Sequence, residues 1–134
     1  MLTFQEFGSE QLDRVKEIYS EMGWTSYLGD DDKLRRSFDN SLDILGAFED
    51  ASLIGFIRCV GDGEHILLVQ DLIIAKKYQR QGLGTSLFRK IWDKYNHVRM
   101  FQVNTDLEDK VDNYFYQSFG MKTLQEGHMI SYFR

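Results

Sequence analysis

Proline is absent from the 134 residues, and cysteine occurs once, at Cys59. A single cysteine forms neither an intramolecular disulfide nor a Cys-rich zinc site, so a disulfide scaffold is excluded and a reducing compartment is expected. Histidine is scarce as well: His65, His97 and His128 lack metal-ligand spacing, and no metal is expected. No apolar run reaches the roughly 18 residues needed to span a bilayer. The longest candidate, Ile66 to Ala75, is interrupted by Gln70 and Asp71. The stretch from Met1 to Phe7 lacks the basic flank and apolar core of a signal peptide. The expectation is a soluble, cytoplasmic protein without a membrane partner. Basic residues are in deficit, 16 against 21 acidic, for a net charge of −5. That balance argues against a nucleic-acid partner and favours cationic small partners.

What is present suffices for one core. A chain of this size buries roughly two-thirds of the surface its unfolded form exposes. Repeats, low-complexity tracts and Ser-rich linkers are missing, so residues 1–134 read as a single domain. Leu2 to Phe7 alternates like a half-buried strand, and Ser9 is placed to cap a helix through Glu21. Leu12, Val15, Ile18, Tyr19 and Met22 form its apolar stripe, and Gly23 ends it. Asp30, Asp31 and Asp32 suit the start of a second helix, through about Asn40. Residues 43–49, 53–60 and 66–75 read as an antiparallel meander turning at Asp50 to Ser52 and Gly61 to Glu64. A helical stripe follows in Leu87, Phe88, Ile91, Trp92 and Tyr95, then a strand at 98–103 and a helix at 107–119. Met121 to Phe133 reads as a closing hairpin turning at Gln125 to Gly127. The fold class is α/β (α+β), with the order βααβββαβαββ.

Between the third meander strand and the long helix lies Gln79-Arg80-Gln81-Gly82-Leu83-Gly84-Thr85. A glycine-rich turn entering a helix exposes backbone N–H groups without intrahelical partners, and the helix dipole adds partial positive charge. That is an anion cradle, equally compatible with a plain turn. It is not a dinucleotide fingerprint, lacking the third glycine, nor a Walker loop, lacking Gly-Lys-Ser/Thr.

The chain resembles the GCN5-related N-acetyltransferase (GNAT) family, whose pyrophosphate loop reads Gln/Arg-x-x-Gly-x-Gly/Ala. Gln79, Gly82 and Gly84 match its fixed positions, and Tyr116-Gln-Ser-Phe-Gly120-Met121 matches the second signature. The resemblance covers essentially the whole chain. It implies a mixed central sheet of about seven strands flanked by four helices, with a splayed V between the fourth and fifth strands. It further implies acetyl-CoA as cosubstrate and direct transfer of its acetyl group to a primary amine of a small molecule or protein. Main-chain groups of Leu72, Ile73 and Ile74 would pair with the pantetheine arm, and those of Gln79, Arg80, Gln81, Gly82, Leu83, Gly84 and Thr85 would hold the pyrophosphate. Tyr116 matches the family's general-acid tyrosine; without that context it reads as ordinary core, and Tyr114 lies on another helix face.

Departures from the family pattern matter equally. The positions where a side-chain base commonly sits are Gln70 and Leu68, and neither titrates. Asp71, Glu64 or water is left for the amine's proton, and Asp71 faces away from Gln70 unless a bulge intervenes. Asp109 replaces the asparagine that usually holds pantetheine. Many relatives carry proline after the fourth strand; here Ala75-Lys76-Lys77-Tyr78 stands there, and the lysines would add positive charge beside the CoA phosphates. Trp24, Tyr27 and Gln70 are candidates for the acceptor site, the two aromatics lining a pocket or merely covering the core. Residues 30–50 hold seven acids against three bases, a solvated face or an attractor of ammonium groups. Cys59 reads as buried and inert. A catalytically silent CoA-binding sensor on the same fold is the alternative, and an exposed closing strand would make a homodimer reasonable.

Overall fold

Alternating apolar and polar residues at the start of the chain produce β1 (Leu2–Glu6), and the computed structural model describes every residue from Met1 to Arg134. Four more strands follow: β2 (Asp43–Glu49), β3 (Ser52–Gly61), β4 (Ile66–Ile74) and β5 (Met100–Val103). They form one sheet of five strands in the order β1-β2-β3-β4-β5. The first four are antiparallel, and β5 joins β4 in parallel. The helices are α1 (Leu12–Glu21), α2 (Asp31–Asp39), α3 (Leu83–Lys94) and α4 (Lys110–Gln117). The chain divides into two compact units, Met1–Val103 and Asn104–Arg134.

In the first unit the apolar stripe of α1 does what its spacing predicts: Leu12, Val15, Ile18 and Tyr19 are buried. They share one core cluster with Leu34 and Phe38 of α2 and with Phe48, Phe56 and Ile73 of the sheet. Capping differs from the sequence reading at α1. No side chain caps it, Ser9 lies in a preceding 3-10 turn, and the Glu10 carboxylate takes the Gly8 N–H. At α2 the aspartates behave as expected, with Asp30 Oδ1 accepting from the Lys33 N–H at 3.1 Å. The end of α3 is pinned to the sheet by buried Asp43, which accepts from Lys94 Nζ (2.7 Å) and Tyr95 Oη (2.8 Å).

In the second unit α4 starts at Asp109, whose Oδ1 caps the Asp112 N–H. The expected closing hairpin is absent, which is why the sheet has five strands and not seven. Thr123 and Glu126 bond reciprocally: the Thr123 N–H donates to Glu126 Oε1 and the Glu126 N–H to Thr123 Oγ1. The Gly127 and Met129 amides then bond back to Thr123 and Leu124 carbonyls. Between residues 123 and 129, local turn bonds occupy groups a strand ladder would use. The homodimer expected from an exposed closing strand has no such strand to rest on.

Candidate functional site

The register of β4 against β3 carries one irregularity: Arg58 faces Asp71, but Cys59 faces Val69. Gln70 is the extra residue, a β-bulge that turns consecutive side chains to one place. Tyr27 shows the result. Its hydroxyl bonds Asp71 Oδ1 at 2.6 Å and receives Gln70 Nε2 at 3.0 Å. Strict alternation would have parted the two side chains; the bulge brings them together.

Asp71 is buried and held from three sides, since Oδ2 also accepts from Tyr19 Oη (2.7 Å) and Arg58 Nε (2.7 Å). Arg58 lies over the rings of Phe38 and Tyr27 and reaches Ser41 Oγ at 3.2 Å. Burial and the Asp71 charge push the Tyr19 and Tyr27 hydroxyls above the usual phenol range. Burial is the largest influence on the guanidinium and lowers it, but the Asp71 charge and hydrogen bond together with the two tyrosines hold it above its usual value. The sequence reading did not find Arg58 or Tyr19. A signal was present: Arg58 interrupts the apolar run of β3 and Asp71, beside Gln70, that of β4, and buried charges come in pairs.

Above Tyr27 opens a cleft of about 740 Å³ lined by residues 23–28, Asp30, Lys33, Leu34, Ser37 and Gln70. All three acceptor-site candidates, Trp24, Tyr27 and Gln70, line it. Trp24 and Tyr27 are half-buried and stack on Tyr19, so they cover the core and line the cleft at once.

Beyond the bulge β4 loses its second neighbour, because pairing with β5 ends at Val69 while β4 runs on to Ile74. The Ala75 N–H bonds the Ile54 carbonyl on β3, so by alternation Ile73 also points its backbone to β3, while Leu72 and Ile74 point theirs to the open side. The Ile74 carbonyl there accepts from Gln79 Nε2 at 3.0 Å. A 3-10 turn over Lys76–Tyr78 leads into the loop, its first amide held by Glu21 Oε1. Arg80 (φ 64°) and Gly82 (φ 79°) adopt left-handed backbone, and Gly82 precedes α3 with no side chain capping the helix. The amides of Leu83, Gly84 and Thr85 thus begin the helix, and a Cβ on Gly82 or Gly84 would meet nothing within 4 Å. The cradle is open and fits a phosphate group.

Residues 5–128 match the model of the acetyltransferase (GNAT) domain family. The chain belongs to the GNAT acetyltransferase family. Among solved structures it is similar to a GNAT-family acetyltransferase from Streptococcus pneumoniae, with 30% identity and a TM-score of 0.85 over 100% of this chain and 97% of that one. It also shares its fold with the PaiA N-acetyltransferase of Thermoplasma acidophilum, solved with coenzyme A (18% identity, TM-score 0.73, 91% and 90% covered). A third likeness is the ribosomal-protein-alanine N-acetyltransferase of Brucella melitensis (12%, TM-score 0.75, 100% and 98% covered). No curated protein matches the chain.

The second GNAT signature lies in the second unit. Tyr116 on α4 is buried while Tyr114 is 76% exposed, so the two face apart as expected. Burial, with the charges of Asp112 and Asp109, raises the Tyr116 hydroxyl well above the usual phenol range. Asp109 spends a carboxylate oxygen on its helix cap. Cys59 is buried, its thiol pushed up to about 12 by burial and then by Asp43. No group of residues could hold a metal ion, and no helix is long and apolar enough to cross a membrane.

Proposed function

We propose that the chain is a single N-acetyltransferase domain over residues 1–134, moving the acetyl group of acetyl-CoA to a primary amine by direct attack. The observation that carries this reading is the course of β4. Gln70 lines the cleft, the next residues form an open strand edge, and the strand ends at the anion cradle. In this reading Leu72 and Ile74 give main-chain groups to the pantetheine arm, with Ile73 anchoring the strand in the core. The amides of residues 79–85 hold the pyrophosphate, and exposed Lys76 and Lys77 add positive charge nearby.

Two protons must move. Tyr116, kept as a phenol at neutral pH, donates to the leaving thiolate. The amine's proton leaves through water: Asp71 is engaged by three donors, and Glu64 is exposed. Tyr116→Phe is expected to lower kcat about 100-fold, the scale of one lost general acid. Its acetyl-CoA dissociation constant should stay within twofold, and an unchanged kcat from pH 6 to 9 would remove Tyr116 from the mechanism.

The engaged state of Asp71 also supports the second reading, a CoA-binding sensor without turnover. Differential scanning followed by a thiol assay separates the two. Acetyl-CoA at 100 times its dissociation constant should raise the melting temperature by about 10 °C. Thiol release with an amine then establishes the enzyme, whereas binding without release from polyamines, arylalkylamines, amino acids and peptide N-termini establishes the sensor. A chain that binds neither acetyl-CoA nor CoA refutes both.

A further inference from the structure

The last turn of α1 closes as a Schellman motif: the Gly23 N–H bonds the Ser20 carbonyl at 3.1 Å and the Trp24 N–H bonds the Tyr19 carbonyl at 2.8 Å, with Gly23 in left-handed backbone (φ 76°). The apolar contact that accompanies such a motif is present too, since the Trp24 ring stacks on fully buried Tyr19. The helix end and the first residues of the cleft wall are therefore one stiff piece. Toward the cleft it presents Trp24. Toward the loop after β4 it presents Glu21 and Met22. Glu21 Oε1 accepts the Lys76 N–H at 3.1 Å, and Met22 Sδ accepts at 3.4 Å from Gln79 Nε2, the same nitrogen that donates to the Ile74 carbonyl. Lys76 opens the 3-10 turn, so its amide has no acceptor within that turn, and Glu21 supplies one. In sequence it lies between the strand edge assigned to pantetheine and the amides assigned to the pyrophosphate.

We infer that the end of α1 is a brace shared by the two substrate sites, in which Glu21 is a positioning residue: its hydrogen bond to Lys76 holds the acetyl-CoA loop in register with the acceptor cleft through Trp24. The inference rests on the acetyl-transfer reading and adds a physical link between the cosubstrate and the acceptor wall. The Glu21 charge opposes the CoA phosphates, so what serves the loop is the hydrogen bond and not the charge. Acetyl-CoA bound on both flanks of Lys76 loads that bond, and the stiff turn passes the displacement to Trp24. Without the bond, ordering the loop falls on the cosubstrate, and Trp24 no longer senses its arrival.

The test compares Glu21→Ala with Glu21→Gln, since both remove the charge and only glutamine keeps an acceptor. Calorimetric titration with acetyl-CoA should give Glu21→Ala a dissociation constant about fivefold above that of Glu21→Gln, the scale of one net hydrogen bond. The chain has two tryptophans, and Trp92→Phe leaves Trp24 as the only indole. In that background Trp24 emission should change along the same binding curve in Glu21→Gln, and the change at saturation should fall by at least half in Glu21→Ala. If Trp92→Phe gives no cooperative melting transition, the emission lost on Trp24→Phe isolates the same signal. A Glu21 that only steadies the fold would lower the melting temperature of Glu21→Ala while the two variants keep equal dissociation constants, and that result overturns the inference. So does a Trp24 response that is absent, or one of equal size in the two variants, because a response independent of Glu21 reaches Trp24 by another route. A wild-type chain that binds neither acetyl-CoA nor CoA refutes the acetyl-transfer reading itself, a separate outcome from binding that ignores Glu21.

Discussion

Arg58 shows at the residue scale why a charged side chain survives in a core. It is buried, and its partner Asp71 holds two tyrosine hydroxyls besides. Removing one member of such a pair strands the other charge in low dielectric, which costs about 3–5 kcal/mol. Arg58→Met is therefore expected to lower the unfolding free energy by that amount, as measured by urea denaturation. Replacing both partners, as Arg58→Met with Asp71→Leu, should recover part of the loss. Recovery stays incomplete because the Tyr19 hydroxyl would then be buried without an acceptor, at about 1–3 kcal/mol. Equal destabilisation in the single and double variants would show that the ion pair is not what the site depends on.

Strands and helices divide into those whose sequence pattern decides them and those decided by neighbours. The stripe of α1, the meander β2 to β4 and the loop before α3 were all legible, because period, turn residues and glycine spacing are local. The bulge at Gln70 was not, since it exists only as a mismatch between two strands, 58 with 71 but 59 with 69. Nor was the fate of residues 121–133: their alternation suits a strand, but Thr123 and Glu126 close a turn first. The meeting of Tyr27, Gln70 and Asp71 depends on the bulge, so the individual residues were readable and their constellation was not. The loop allows a test at the same scale. Gly82 has φ 79° with open space where a Cβ would stand. Gly82→Ala therefore costs only the left-handed strain, roughly 1–2 kcal/mol, while placing a methyl group at the cradle. Thermal melting should show a modest loss in the free protein and a disproportionate loss of the acetyl-CoA shift. An intact shift would mean that the amides before α3 do not hold the pyrophosphate.

For the molecule as a whole, the charge balance divides differently from the sequence expectation. The acids of residues 30–50 do not gather at the cleft: Asp30 caps α2, Asp31 pairs with Lys16 at 3.0 Å, and Asp43 anchors Lys94. Only Asp30 lines the cleft, with Lys33 beside it. The net charge of −5 is therefore largely structural and solvated; the clearest pH effect on the whole molecule comes instead from burial and lies at alkaline pH. The Cys59 thiol is raised from 9.0 to about 12 and the Tyr95 hydroxyl from 10.0 to about 12. Tyr19 and Tyr27 shift in the same direction through burial and Asp71. Each group is protonated in the fold where the unfolded chain would already ionise. Its contribution is complete below the unfolded pKa and is lost as pH rises through the folded one. The contribution of these four groups should thus be level from about pH 7 to 8.5 and then fall, at about 1.4 kcal/mol per pH unit for each group ionised only in the unfolded chain. Among these four groups Cys59 has the lowest unfolded value, so its loss precedes those of the tyrosines. In urea titrations at successive pH values, Cys59→Ala should be less stable throughout, through the small cavity it leaves, yet flatter between pH 9 and 10. An identical slope in the variant would show that the thiol ionises as readily in the fold as outside it.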